Sequence, residues 1–232
     1  MIVSAHQPHF LPWLGYFNKV ACSDVFVWLE DVQFRKNYFQ NRTKIKANKE
    51  ELWLTLPVKK GKLEENINEV VIVKGREFSK LAKTLKNYYS KTPFFDVYFN
   101  DIETIISNSN DSLNDINFEL FNYFIKVLNI KTKIIRSEHL NLEENDPNLR
   151  LLELCLQLKA TKYIAGKGSR NYMNESLFNE IEVEILWQKF PIETINYPQT
   201  KGDFISGLSI LDVLFNVGPE KAHELVISPW KN

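Results

Sequence analysis

The sequence predicts an α/β fold: a mostly parallel sheet flanked by helices, with a small antiparallel excursion and a helical insertion. Three observations lead there. Short apolar runs alternate with stripes of helical period along the chain, the pattern of βαβ units rather than of segregated layers. The run at residues 25–29 is continuous instead of alternating, as expected of a strand covered on both faces. Hydrophobic residues make up 44 % of 232 positions and only eight are glycine, enough for one substantial core.

Residues 2–5 form the first strand. Trp13, Leu14, Phe17, Val20 and Ala21 recur at helical spacing, and residues 25–29 return as the second strand. A right-handed crossover places the loop between them at the carboxyl edge of the sheet, where open α/β folds bind ligands. "ELWLTLPV" alternates with Leu52, Leu54, Leu56 and Val58 on one side, "INEVVIV" at 67–73 alternates weakly, and "KKGK" between them reads as a turn. These predict the antiparallel excursion. Phe78, Leu81, Ala82, Leu85, Tyr88 and Tyr89 make a helical stripe, and "TPFF" opens another helix with Thr92 as cap and Pro93 in its first turn. A third starts at Ser112 and carries Leu113, Ile116, Leu120, Phe121, Phe124, Val127 and Leu128 on its apolar side. Together they make the insertion, about residues 78–128. Strands follow at 132–137, 162–165 and 183–187, with helices at 146–158 and 175–181 between them. "ISGLSILDVLFNVG" closes as an apolar helix stopped by Gly218-Pro219, and a short helix follows. No repeat, linker or composition break divides the chain, so residues 1–232 are expected to form one domain.

Lys plus Arg and Asp plus Glu both number 29, so no net field holds the chain on nucleic acid or an anionic membrane. Cys22 and Cys155 each lie in an apolar helical pattern and are expected as buried thiols rather than a disulfide or a zinc site. No run approaches the roughly 20 apolar residues of a membrane span. The start lacks the basic segment of a signal peptide, and a cytoplasmic protein is expected. HExxH, CxxC and GxSxG are absent and no Ser/His/Asp order can be assigned, which disfavours zinc catalysis and triad hydrolysis and leaves no metal site predicted. His139 and His223 sit in polar surroundings and are expected at the surface.

Several stretches carry chemistry. In the first loop His6, Gln7 and His9 offer donors or a proton carrier, Pro8 and Pro12 stiffen the backbone, and Gly15 permits close approach. A tight turn with His6 and Gln7 tied to backbone, and Trp13 and Tyr16 in the core, would use the same residues. After the second strand, Glu30 and Asp31 face the same edge, which makes Asp31 a candidate base or metal ligand. Arg35, Lys36, Arg42, Lys44 and Lys46, interleaved with Phe34, Tyr38, Phe39 and Asn41, form either a grip on a nucleotide diphosphate or RNA tail or a solvated amphipathic loop. Arg42 beside Asn41 is the better anion clamp. "YIAGKGSRNYM" brings Gly168, Ser169 and Tyr172 after another strand, as a phosphate loop or a simple turn. Ser209 and Asp212, at i and i+3 in an apolar helix, tie the core or line the pocket.

"HQPHFLPWLGYF", "SDVFVWLEDVQF", "QNRTKIK", "LWLTLPV", "YYSKTPFF" and "GLSILDVLFNVG" together resemble the WbqC-like family, in that family's order from end to end. Gln7, Pro8, Pro12, Gly15 and Tyr16 match its first mark, and Asp31, Asn41 and Arg42 its second. The resemblance implies a role in O-antigen or other surface-polysaccharide biosynthesis, as a transferase that adds glycine to the amino group of a nucleotide-linked amino sugar. Amide formation needs a base, for which Asp31, His9 and His6 are candidates, and an oxyanion stabiliser, for which Gln7 and loop amides serve. Arg42 and Lys36 would hold the diphosphate. The loop is also similar to the start of nucleotidyl-transfer folds, and "GSRN" to the phosphate loop of pantothenate synthetases, an analogy of fold only. ATP or an aminoacyl-tRNA would activate the amino acid, so an amino acid donor and tRNA are candidate partners; the oligomeric state stays open. The alternatives are a glycosyltransferase or other nucleotide-sugar-modifying enzyme, and a non-catalytic binding module of the polysaccharide assembly.

Overall fold

A computed structural model describes residues 1–61 and 64–228. Its elements run β1 (Ile2–His6), α1 (Leu14–Ala21), β2 (Val25–Trp28), β3 (Arg42–Ala47), β4 (Glu50–Thr55), α2 (Arg76–Tyr89), α3 (Phe95–Asn108), α4 (Leu113–Val127), β5 (Lys133–Arg136), α5 (Pro147–Gln157), β6 (Lys162–Ala165), α6 (Glu175–Glu180), β7 (Glu184–Trp187) and α7 (Ile210–Val226). Five strands form one sheet in the order β5-β2-β1-β6-β7, every neighbour parallel. Counted along the chain, these strands lie third, second, first, fourth, fifth. The direction of winding therefore reverses between β1 and β6, and doubly wound sheets bind ligands beyond the strand ends at that point.

Each strand is too short to bury itself alone, and alternate side chains go to opposite faces. Phe26 and Trp28 face α1, α4 and α7, where Phe121 of α4 packs 5.6 Å from Phe26, 4.8 Å from Trp28 and 5.9 Å from Phe17. Val3, Ala5, Val25 and Val27 face α5 and α6, against Leu151, Leu154, Cys155 and Phe178. Burial on both sides explains the continuous apolar character of β2. The helices α2, α3 and α4 all lie in the connection from β2 to β5, and α4, capped by Ser112 accepting from Asp115 N, is the one that covers the sheet. Asp146 caps α5 in the same way, ahead of Pro147.

The antiparallel pair differs from expectation in its partner. β4 pairs with β3 in the register Ala47↔Glu50 through a two-residue turn in which Asn48 is left-handed (φ 59°), while residues 67–73 hold a 3₁₀ turn at Ile67–Glu69 and only isolated bridges, Val58↔Ile72 and Val71↔Ser112. Asn66 and Glu69 cap that turn reciprocally, which removes the backbone donors a strand would need. The turn expected at residues 59–62 reaches residue 62, outside the described residues. Residues 42–46, expected in a basic loop, are strand because Thr43, Ile45 and Lys46 are buried. Helix α3 begins at Phe95, since Thr92 turns its hydroxyl back to donate to Tyr89 O at 2.7 Å. Ser209 is the N-cap of α7 rather than a residue within it. Gly218 breaks that helix with φ 77°, and a Cβ there would meet the Phe94 ring at 2.7 Å. His223, expected at the surface, is half-buried, its Nδ1 2.7 Å from Leu128 O. Both cysteines are free; Cys155 is buried and Cys22 partly so.

Candidate functional site

The loop from β1 to α1 is held in one shape by its own carbonyls. Leu11 is fully buried in a left-handed conformation (φ 48°), and its carbonyl accepts from Thr43 Oγ1 at 3.0 Å and Ser209 Oγ at 2.9 Å. An uncommon conformation of this kind persists only where its surroundings enforce it. The Gln7 carbonyl accepts from Tyr16 Oη at 3.1 Å and lies 3.0 Å from His6 Nδ1. A carbonyl has no proton to give, so Nδ1 carries the hydrogen and His6 Nε2 keeps a lone pair. Gly15 serves packing: the Trp13 indole lies where its Cβ would be, 2.2 Å away. Pro8 is buried.

His9 occupies the centre of this loop. It is 7 % exposed, stacks on Phe39 at 5.5 Å, meets His6 edge-on at 4.6 Å, and neither ring nitrogen has a hydrogen-bond partner among the described residues. Burial pushes both imidazoles down: His6 to about 3, with Lys19 as the second cause, and His9 well below the ordinary value, with His6 and then Lys19 adding to burial. Both are neutral near pH 7, each with a ring lone pair able to accept a hydrogen bond. Residues 37–42 close over the loop from the other side. Gln40 Nε2 donates to Gln7 Oε1 at 2.8 Å and Gln40 Oε1 accepts from Arg35 N at 2.6 Å, which fixes the Gln7 amide.

The remaining candidates fall into separate groups. Asp31 accepts from Ser137 Oγ at 2.6 Å and pairs with Arg150, so both carboxylate oxygens are engaged. Its neighbour Glu30 is fully buried, held by Arg136 Nε at 2.8 Å and Asn114 Nδ2 at 2.7 Å, and Asn114 in turn accepts from Trp28 Nε1. Asn41 is buried, its amide donating to Leu56 O and accepting from Asn37 N. Arg42 lies 4.0 Å over the Trp53 ring with no carboxylate partner among the described residues, and Lys36 is exposed. Gly168, Ser169 and Tyr172 occupy the 3₁₀ turn after β6 and its end, at the carboxyl edge beside β1, with Ser169 Oγ 3.2 Å from Tyr172 Oη. Asp212 is far from solvent, clasped by Tyr89 Oη at 2.9 Å, Tyr197 Oη at 2.8 Å and Gln199 Nε2 at 2.8 Å; burial pushes its carboxyl up while those bonds pull it down. It ties α7 to the segment around residue 199. Among the described residues no group of three or more His, Cys, Asp or Glu is placed to hold a metal ion, and no helix is long and apolar enough to cross a membrane.

The structure therefore brings together His6, Gln7, Pro8, His9 and Tyr16, with Gln40 and Phe39, at the carboxyl end of β1, and places Gly168, Ser169 and Tyr172 after the adjoining strand. Sequence reasoning missed Gln40 and Lys19. Lys19, 4 % exposed, donates from Nζ to Ala5 O at 2.8 Å, and burial lowers its ammonium to about 7. A lysine inside a short helix that is otherwise mostly apolar was the available signal.

A pH dependence follows from the two imidazoles. Each has a lower proton affinity in the folded than in the unfolded chain, so the unfolded state binds more protons as pH falls from about 6.5 toward 3, and their contribution to stability is complete above 6.5 and lost below it. Urea unfolding is expected to show stability dropping between pH 6.5 and 4.5, by up to about 1.4 kcal/mol per pH unit for each proton withheld. His6→Gln should flatten that slope. Equal slopes in the variant and the parent would contradict this account.

Comparison with known proteins agrees over nearly the whole chain. The model of the WbqC-like protein family matches residues 7–224. Uncharacterized protein Rv1507c of Mycobacterium tuberculosis is 32% identical over 221 residues, covering 94% of each chain. No solved structure matches.

Proposed function

We propose a function from one premise: this chain belongs to the WbqC-like protein family. It attaches an aminoacyl group, glycyl, to the amino group of a nucleotide-linked amino sugar in the assembly of a surface polysaccharide such as O-antigen. The observation that carries this reading is His9, a neutral imidazole with both nitrogens unpartnered, set in a braced loop at the reversal of a doubly wound sheet. Of the bases available, Asp31 has both oxygens taken by Ser137 and Arg150, whereas His9 has an acceptor to spare.

In the reaction the sugar amine attacks the acyl carbon, forming the C–N bond, and His9 takes the amine proton. The bond from the acyl carbon to its leaving oxygen breaks, releasing AMP from an aminoacyl adenylate or the ribose hydroxyl of an aminoacyl-tRNA. Gln7 Oε1 is held by Gln40, so its Nε2 is oriented as a donor to the developing oxyanion. Arg42, stacked on Trp53, and exposed Lys36 take the diphosphate. The test is product mass after incubation with nucleotide-linked amino sugars. A gain of one glycine residue supports the reading, with pyrophosphate release marking ATP as activator and loss of activity on ribonuclease treatment marking aminoacyl-tRNA. Release of free nucleotide with transfer of the sugar would replace it with glycosyl transfer, and unchanged substrate under every donor would leave a binding module.

A further inference from the structure

We propose that Lys19 Nζ and the Gly166 N–H form an oxyanion subsite in the gap between β1 and β6, taking a phosphoryl or carboxylate oxygen of the substrate. Its argument begins with the ladder. Odd residues of β1 turn their carbonyls to β6, as Met1 O does in accepting from Lys162 N at 3.2 Å. Continued by two-residue steps, the ladder would set Gly166 N on Ala5 O. It does not: the register stops at Ser4↔Ile164, and the Ala5 carbonyl accepts from Lys19 Nζ at 2.8 Å. A helix side chain has taken a strand's place, and the Gly166 N–H is released from the ladder at the reversal of winding.

Three further features favour a ligand there. The ammonium has one hydrogen bond and no carboxylate partner among the described residues, although a buried cation without a counter-charge is costly. Its other neighbours are the Tyr163 ring, 5.9 Å away, and His6 and His9, whose interaction with it lowers their proton affinity; none supplies a negative charge near pH 7. No neighbour crowds Gly166, where an added Cβ would meet nothing within 4 Å. His9 adds two buried, unpartnered nitrogens in the same cluster. An incoming oxyanion would supply the missing charge and accept from both Lys19 and Gly166.

The subsite deepens the transferase reading and rests on it for the identity of the ligand, yet binding tests it without turnover. Inorganic pyrophosphate stands for the phosphoryl source and glycine for the carboxylate. Calorimetry on the full chain should show one of the two binding, at least tenfold more weakly in Lys19→Met. A purely structural lysine predicts the reverse, a less stable variant with affinity unchanged. In wild-type protein carrying ¹⁵Nζ-lysine, the amine that titrates apart from the surface lysines should move its midpoint upward by about one pH unit or more when the bound probe is saturating; this holds even if Lys19→Met fails to fold. Neither probe binding, equal affinity in Lys19→Met, or an unmoved midpoint would overturn the subsite. Pyrophosphate binding without acyl transfer would leave it standing and remove the transferase reading; transfer undiminished in Lys19→Met would do the opposite.

Discussion

Arg136→Met is expected to cost about 3–5 kcal/mol of folding stability, because it strands the Glu30 carboxylate inside the protein. Glu30 is inaccessible to water, and Arg136 supplies its Nε and an NH2 contact at 2.8 Å; without them the Asn114 amide alone remains among the described residues. Buried charges that lose a partner are penalised far more than pairs removed together. The double variant Glu30→Gln, Arg136→Met should therefore recover most of the loss, giving in a double-mutant cycle a coupling of similar size and opposite sign to the Arg136→Met loss. Urea midpoints for the four proteins provide the measurement. If Arg136→Met unfolded within about 0.5 kcal/mol of the parent, the charge at Glu30 would have to be satisfied elsewhere.

His9→Leu is the second. Two imidazole nitrogens buried without hydrogen bonds are a stability cost that the native protein retains, as functional sites commonly do. Replacing the ring by an aliphatic side chain removes that cost at the expense of some stacking on Phe39. Stability should hold to within about 1 kcal/mol, while turnover in the glycyl-transfer assay should fall by about 10²–10⁴-fold, the usual contribution of a positioned base. A variant that keeps turnover within threefold would remove His9 from the chemistry. One that loses stability heavily would make it a packing residue.

The sheet was legible where the signals were local. Lys162–Ala165 matches the expected strand end to end, and Asp146-Pro147 and Ser112 announced their helices by caps that need only near neighbours. The antiparallel pair was not, because its buried face includes a lysine: Lys46 donates to Gln199 Oε1 and Asp203 O, partners about 150 residues away, so "RTKIKA" looked solvated. The site divides along the same line. His6, Gln7 and His9 stand out as polar residues at a strand end. Lys19 does not, since lysines are ordinarily exposed, and its burial depends on where β1 parts from β6 and on Tyr163 of that much later strand. Asp31 was visible, but the arginine and serine that occupy it lie more than a hundred residues further on.

The central position of β1 also bears on how the chain is made. Val3 pairs with Val25 on one side and Tyr163 on the other. At ordinary ribosomal speed, roughly 7–28 s separates the emergence of those two partners. Throughout that interval a nascent chain presents the bare edge of its middle strand, with an apolar face already attached, to every other chain nearby. Truncations ending before residue 162 should aggregate, and efficient biosynthesis of the whole should depend on a chaperone that shields the N-terminal segment until the late strand arrives.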